Sequence, residues 1–357
     1  MRTVPTAMAA RSGGAGQDRP GRPRGRCGRL WGTGQAGALA CAAVFVCATL
    51  AGCAATPSNN GRVVVLVGAS SGFGKGVAQK LADQGAHVVL AARRADLLEE
   101  LARDCQKRGG QALAVTTDIS KEQDVAKLTQ AALDRFGRID VWINLAGIGA
   151  FGRFEEIPLA DHYRLIDVNL KGVITGSYYA MRQFRKQKSG TLINISSITG
   201  RIGQPYYASY AASKFALTGL GTALNQEVRL SGDKDIHVCT VYPFATDTPW
   251  WDHAANYTGH QPQFDLMDPP DKVVDAIVEA TVKPEVEVTV GFKAKLFVAM
   301  HRINRRITEN IAGDLTHKSL YEDAPPATMP AGPGSLHQPM PTGTEVDGGV
   351  RERMKGR

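Results

Sequence analysis

The chain has 357 residues, 43% hydrophobic and 21% charged, which fits a folded globular protein of one large domain or two small ones. Its net charge of +8 is unevenly placed: Arg2, Arg11, Arg19, Arg22, Arg24, Arg26 and Arg29 precede residue 30, with Asp18 the one acid among them. The remainder is close to neutral and makes no case for a nucleic-acid partner. The six cysteines, Cys27, Cys41, Cys47, Cys53, Cys105 and Cys239, show neither metal-ligand spacing nor a disulfide framework.

Residues 1–37 are rich in Gly, Arg, Ala and Pro, have almost no large apolar side chains, and are expected to be disordered. Residues 38–53, "ALACAAVFVCATLAGC", carry no charge and are shorter than a comfortable bilayer span, which suits a signal segment. Leu50-Ala51-Gly52-Cys53 looks like a bacterial lipoprotein box, with Cys53 as the lipidated residue. Arginines before this segment and none just after it predict an exported C-terminal side. Three readings stay open: a membrane-attached lipoprotein, an uncleaved anchor, or a non-physiological extension of a cytoplasmic protein. Residues 54–61 read as a linker.

From Arg62 the pattern alternates. "RVVVLVG" reads as a buried strand, followed by "GASSGFGKG", where Gly68, Gly72 and Gly74 have the spacing GxxxGxG between a first strand and a first helix. Such glycines permit a tight turn and close approach of a pyrophosphate to the helix N-terminus, although a turn alone also explains them. "HVVLAA" is the second strand. It ends in Ala92, where an NAD site commonly has a carboxylate, and Arg93 and Arg94 follow. No carboxylate repels a 2′-phosphate there, and guanidiniums stand ready to pair with one, which favours NADP(H) over NAD(H); alternatively the arginines simply open a solvated helix.

The strand "ALAVTTD" leads to Asp118 and Ile119, which either cap the next helix or contact adenine. "IDVWINLAG" brings Asn144, Ala146 and Gly147 to its end. One long helix is expected over 159–187, with Asn169 inside it. "GTLINISS" delivers Ser196 and Ser197. Thirteen residues beyond Ser197 comes Tyr210, and Lys214 follows at helical spacing, so both lie on one face. An ammonium beside a phenol favours the phenolate and gives a proton donor or acceptor usable near neutral pH. "IHVCTVYP" and "VEVTVG" finish the strands. The alternation predicts an α/β fold, a Rossmann-like doubly wound parallel sheet of about seven strands with helices on both faces and chemistry at the strand carboxyl ends.

Taken together, these residues resemble the short-chain dehydrogenase/reductase family in its compact single-domain form, over 62–291. "GASSGFG" is similar to the cofactor glycine motif, with Gly68, Ser70, Ser71, Gly72, Phe73 and Gly74 as implied contacts. "NLAG" is similar to the NNAG motif, and Asn169, Ser197, Tyr210 and Lys214 fall on the catalytic tetrad positions. "YPFATDT" is similar to the segment that holds the nicotinamide, which adds Pro243, Thr246 and Thr248. Three positions depart from the family pattern: Val67 for the usual Thr, Leu145 for the second Asn, and Phe244 for a Gly. The resemblance implies that Tyr210 exchanges a proton with the substrate oxygen and that Ser197 hydrogen-bonds it. Lys214 would lower the tyrosine pKa and bind the ribose, while Asn169 would hold a relay water. Family members often form dimers or tetramers through their long helices, so a homo-oligomer is expected.

Residues 249–268 contain Trp250, Trp251, Tyr257, Phe264 and Met267, and Phe151, Phe154 and Tyr207 add to them. They suit a small apolar alcohol or ketone substrate, or else they pack a dimer contact or the core. Residues 292–323 are a helical extension whose basic, apolar pattern suits either an anionic membrane or packing on its own domain. Residues 324–357 are Pro- and Gly-rich and are expected to be a disordered tail. Two readings without turnover, a sensor of NADP(H) and a scaffold, sit poorly with an intact tetrad.

Overall fold

The structure, a computed structural model, describes residues 58–264, 266–322 and 330–355. The extension and signal-like segment expected over 1–53 lie outside the described residues. Strand β1 (Val63–Val67) is five buried aliphatic residues, as a strand covered on both faces requires. Its neighbours are β2 (His87–Ala92) and β4 (Val141–Asn144), both parallel to it. With β3 (Gln111–Thr116), β6 (Gly190–Ile195), β7 (Ile236–Tyr242) and β9 (Glu287–Thr289) they form one parallel sheet in the order β3-β2-β1-β4-β6-β7-β9. The seven strands are those predicted. A small second sheet pairs β5 (Ala150–Phe151) with β8 (Ala255–Asn256).

Residues of β1 alternate between two cores. Val64 and Leu66 pack with Val77 and Leu81 of α1 (Gly72–Asp83), Leu98 of α2 (Ala95–Lys107) and Ile277 of a later helix. Val63, Val65 and Val67 join Leu128 of α3 (Glu122–Phe136) and Phe184 on the opposite face. Each such fully buried side chain contributes about 1.5–3 kcal/mol. Chain connections run outward from β1 to β3 in one direction and from β4 to β9 in the other. The β1/β4 boundary is therefore the switch point, where a crevice opens at the strand carboxyl ends.

The helix expected over 159–187 is interrupted. It runs as α4 (Leu159–Ile166), a π-helical stretch (Asp167–Gly172) and α5 (Val173–Gln187). Asn169, fully buried, sits in the widened turn. Its Oδ1 accepts the Ile148 N–H at 2.9 Å, and its Nδ2 donates to the Ile148 carbonyl at 2.8 Å and to Ser213 Oγ at 3.4 Å. One side chain thus satisfies the loop after β4, and the helix is distorted around it.

Helix α6 (Ala208–Ser231) follows β6, and a short α7 (Trp250–His253) follows β7. After α8 (Asp271–Val282), the helices α9 (Gly291–Ile303) and α10 (Arg305–His317) pack together. Ala294 and Ala312 are buried against Ile198 and Ile202, so the basic amphipathic stretch has one face on its own domain, while Phe292 and Ile303 face outward. Among the described residues no helix is long and apolar enough to cross a membrane. Residues 330–355, expected to be disordered, follow a defined path across the crevice edge and end in α11 (Val350–Lys355). Fully buried Leu336 anchors the segment, and most of its polar contacts are made through backbone carbonyls.

Replacing Asn169 by Ala strands the Ile148 N–H and carbonyl away from water, at about 1–3 kcal/mol for each. The expected result is a lower urea midpoint with an unchanged denaturant slope.

Candidate active site

The first turn is backbone packed on backbone. Gly68 has φ +103°, and a Cβ on Gly74 would fall 2.0 Å from the Gly68 carbonyl oxygen. No other residue fits at Gly74, and the turn holds the N-terminus of α1 against the crevice. The Gly72 N–H, which the sequence reading left open for a phosphate, donates instead to the Glu345 carbonyl at 2.8 Å.

Arg93 and Arg94 leave β2 half-buried. Arg94 donates to Ser70 Oγ at 3.0 Å and to Ser71 Oγ at 2.7 Å. Its other nitrogen reaches the carbonyls of Met340, Thr342 and Gly343 at 3.3–3.5 Å. Arg93 donates to the Ser335 carbonyl at 2.7 Å. Burial lowers the pKa of both guanidiniums. Their hydrogen bonds go to neutral oxygens, and the Asp118 carboxylate is near enough to act on Arg93 by charge. The cleft therefore fits a dinucleotide in two respects: a turn with no space for side chains, and a pair of guanidiniums that, among the described residues, hydrogen-bond only neutral oxygens that a phosphate would out-compete.

Asp118 does not cap α3, which begins at Glu122. Its carboxylate accepts from the Ser120 N–H, from Ser120 Oγ and from Arg164 at 2.7–3.0 Å. Burial alone would raise its pKa, but those bonds outweigh it and the net shift is downward. Ile119 packs against Gly172 and, like Asp118, lines the cavity. Asn144 is placed elsewhere than predicted: it is buried in a network with Trp142 Nε1 at 2.9 Å and Asn194 Oδ1 at 2.8 Å, off the cavity wall. Leu145, Ala146 and Gly147 reach the wall in its place. A Cβ on Gly147 would lie 3.6 Å from Lys214 Nζ and 3.8 Å from Asn169 Oδ1, so these two polar groups converge there.

The end of β6 is locked to α6. Ser196 Oγ donates to the Lys214 carbonyl at 2.9 Å, and Lys214 Nζ donates to the Ile195 carbonyl at 2.9 Å. Ser197 Oγ accepts the Thr199 N–H at 3.1 Å, and the Ser197 side chain lies near enough to the Tyr210 hydroxyl to favour the phenolate. Lys214 Nζ lies 5.5 Å from the Tyr210 ring centre. Burial pushes the phenol up to about 12, with Ser197 pulling the other way, and burial pulls the ammonium down to about 8. The sequence argument had the lysine lowering the tyrosine. Here burial dominates both groups, and the ammonium spends its hydrogen bond on the Ile195 carbonyl.

Every catalytic or cofactor-site residue predicted from the sequence except Asn144 and Asn169 lines one cavity of about 500 Å³. Phe73, Pro243, Thr246 and Thr248 are among them, and Phe244 lines it too. Beside Tyr210 the wall is aromatic: Trp250 lies 5.1 Å from the Tyr210 ring, Phe151 stacks on Trp251 at 5.6 Å, and Phe264 lies 4.7 Å from Trp251. Tyr207 is part of this wall. Tyr257, Met267 and Phe154 are not: the Tyr257 hydroxyl bonds Asp161, Met267 is buried elsewhere, and Phe154 is 59% exposed. Phe297, Ala312, Leu315 and Thr316 from α9 and α10 also line the cavity, a contribution sequence reasoning missed. The alternation of apolar and basic positions there was the available signal.

The family model for short chain dehydrogenase matches residues 62–257, and the chain belongs to that family. It is an NAD(P)-dependent oxidoreductase. It is 32% identical to the uncharacterized oxidoreductase YxnA of Bacillus subtilis (strain 168) over 267 residues, 74% of this chain and 75% of YxnA. An alcohol dehydrogenase from Thermococcus sibiricus complexed with 5-hydroxy-NADP superposes with a TM-score of 0.55 at 26% identity, covering 64% of this chain and 95% of that one. A 3-ketoacyl-(acyl-carrier-protein) reductase from Brucella melitensis complexed with NADH gives 0.58 at 27% identity, covering 66% and 100%.

The buried lysine has a signature in stability. Its pKa falls from 10.5 to about 8 on folding, so between those values the unfolded chain binds more protons, and folding gains stability as pH rises. Relative to Lys214→Met, the parent chain is therefore expected to gain stability between about pH 8 and 10.5. Urea titrations of both proteins across that range check the sign.

Proposed function

We propose that the chain is an NADP(H)-dependent oxidoreductase acting between an apolar alcohol and its ketone, with Tyr210 as acid and base. The observation that carries this reading is that Ser197, Tyr210 and Lys214 line one cavity whose wall beside Tyr210 is aromatic. When bound, the nicotinamide supplies or accepts the hydride. Tyr210 gives its proton to the carbonyl oxygen or takes it back, and Ser197 holds that oxygen by a hydrogen bond. The Lys214 ammonium binds the ribose hydroxyls and, one helical turn from Tyr210, favours the phenolate. Asn169 is a positioning residue whose Oδ1, beside Gly147, holds a water that exchanges protons with Lys214. The preference for NADP(H) rests on Ala92 in place of a carboxylate and on the two guanidiniums that follow it. Gly68, Gly74, Thr246 and Thr248 complete the cofactor contacts.

The aromatic wall supports the apolar substrate. It is built from Phe151, Tyr207, Trp250, Trp251 and Phe264, with Phe244 packed on Phe297 at 5.7 Å. Homo-oligomerisation through the long helices belongs to the same reading, supported by exposed Ile174, Tyr178 and Phe215 on α5 and α6. Sedimentation of the purified chain tests it. Membrane attachment is proposed through Cys53, and mass spectrometry of the native N-terminus tests that.

Tyr210→Phe is expected to lower kcat by about 10²- to 10⁴-fold while NADPH binding, followed by fluorescence, stays unchanged. Retained turnover would remove Tyr210 from the mechanism. Across a series of straight-chain ketones, kcat/KM is expected to rise about fourfold per added methylene until the wall is filled.

A further inference from the structure

The segment from Gly332 to Arg353 crosses the crevice at the arginine end. Gly332 pairs with Asn256 in both directions at 3.0 Å, and the Ser335 N–H donates to the His253 carbonyl at 2.8 Å. Leu336 is fully buried in the core beneath. His337 bonds the buried Asp161 carboxylate at 2.7 Å. Further along, the Glu345 carboxylate meets Lys75 at 2.8 Å, and the Asp247 carboxylate accepts the Val350 and Arg351 N–H groups at 2.9 and 2.8 Å. Between these anchors the chain gives its carbonyls to Arg93 and Arg94: Ser335, Leu336 and His337 to the first, Met340, Thr342 and Gly343 to the second.

We propose that this C-terminal strap is an internal competitor for the 2′-phosphate, so that it sets the balance between NADP(H) and NAD(H). The proposal rests on the reading of Arg93 and Arg94 as the phosphate-binding pair. A guanidinium fork binds a phosphate through charge-assisted, bidentate bonds. The strap offers neutral carbonyl oxygens to both Arg93 end nitrogens and to Arg94 Nη1, while the Ser70 and Ser71 hydroxyls take the rest of the Arg94 fork. NADP(H) must displace the strap from the arginines. NAD(H), which has no 2′-phosphate, needs neither guanidinium. The cavity remains open beneath the strap, with Ser335, Pro339 and Met340 in its wall beside Asp118 and Ser70; besides the two arginines the strap takes one donor shared by both dinucleotides, the Gly72 N–H, through the Glu345 carbonyl.

The test compares three proteins: the intact chain, the chain ended after Met329, and full-length Leu336→Asp, which ejects the buried anchor without shortening the chain. Binding of NADPH, NADH and adenosine 2′,5′-bisphosphate is measured by calorimetry. Both variants are expected to bind NADPH and the bisphosphate at least about tenfold more tightly, since each charge-assisted bond regained is worth about that factor. NADH, which regains only the Gly72 N–H, should gain clearly less than NADPH. In the intact chain, saturating NADPH but not NADH should expose the segment after Leu336 to limited proteolysis. NADPH affinity that is unchanged or weaker in the variants, or an equal gain for NADH, overturns the strap as a selectivity device and leaves the cofactor reading standing. Failure of all three proteins to bind either dinucleotide overturns the cofactor reading itself.

Discussion

The site depends on one lock, the double tie between the end of β6 and α6. Ser196 holds the Lys214 backbone carbonyl, and the Lys214 side chain returns to hold the Ile195 carbonyl. The first tie fixes how far along α6 the lysine sits, and the second fixes where its ammonium points. Tyr210, one turn earlier on the same helix, is then brought to Ser197, the next residue on the strand exit. Lys214 is 4% exposed, so its ammonium is costly to bury with only a carbonyl for company. That cost is visible as a pKa of about 8, and stability is traded for a charge placed where a ligand can use it.

A second constraint comes from the parallel sheet. Every strand ends on the same edge, so a loop leaving one strand has to be satisfied by groups from the neighbours. Asn169 does this for the loop after β4, and Asn144 does it within the sheet through Trp142, Ser177 and Asn194. Two of the three departures from the family pattern, Val67 and Leu145, lie beside this bracing. The Val67 carbonyl accepts the Leu145 and Ala146 N–H groups at 2.8 and 2.7 Å, so the backbone ties β1 to the β4 exit without a threonine hydroxyl.

The strands, the glycine turn and the Ser-Tyr-Lys convergence were legible because each leaves a periodic or spaced trace: continuous aliphatic runs, glycines at a strand-to-helix junction, two polar groups four apart. Asn144 misled because its strand-end position suggests the cleft, whereas its side chain is taken up by Trp142 on its own strand and by Ser177 and Asn194, 33 and 50 residues on. The interruption of the long helix left one trace, a buried-type Asn within an apolar helix. Residues 330–355 left none. Their contacts run mostly through backbone carbonyls, which carry no sequence code, and through single side chains such as Leu336 and His337 whose partners are more than 150 residues away. Composition alone therefore read them as disordered.

The cavity is polarised, and this separates its two tasks. Arg93 and Arg94 leave β2, while Ser197 leaves β6, three strand spacings away, roughly 14 Å across the sheet. Groups at the arginine end touch no reacting atom, so whatever they contribute is felt in cofactor affinity and not in the chemical step, unless binding there also adjusts the nicotinamide end. A strap that occupies the arginine end and also takes the Gly72 N–H of the glycine turn can thus alter which dinucleotide the chain prefers while leaving Tyr210, Ser197 and Lys214 untouched. The aromatic wall around Trp250 borders the reacting hydroxyl, and its short helix ends in His253, which the strap holds through the Ser335 N–H and the Thr342 carbonyl, so the segment that would set cofactor choice is tied to the one that would set substrate choice.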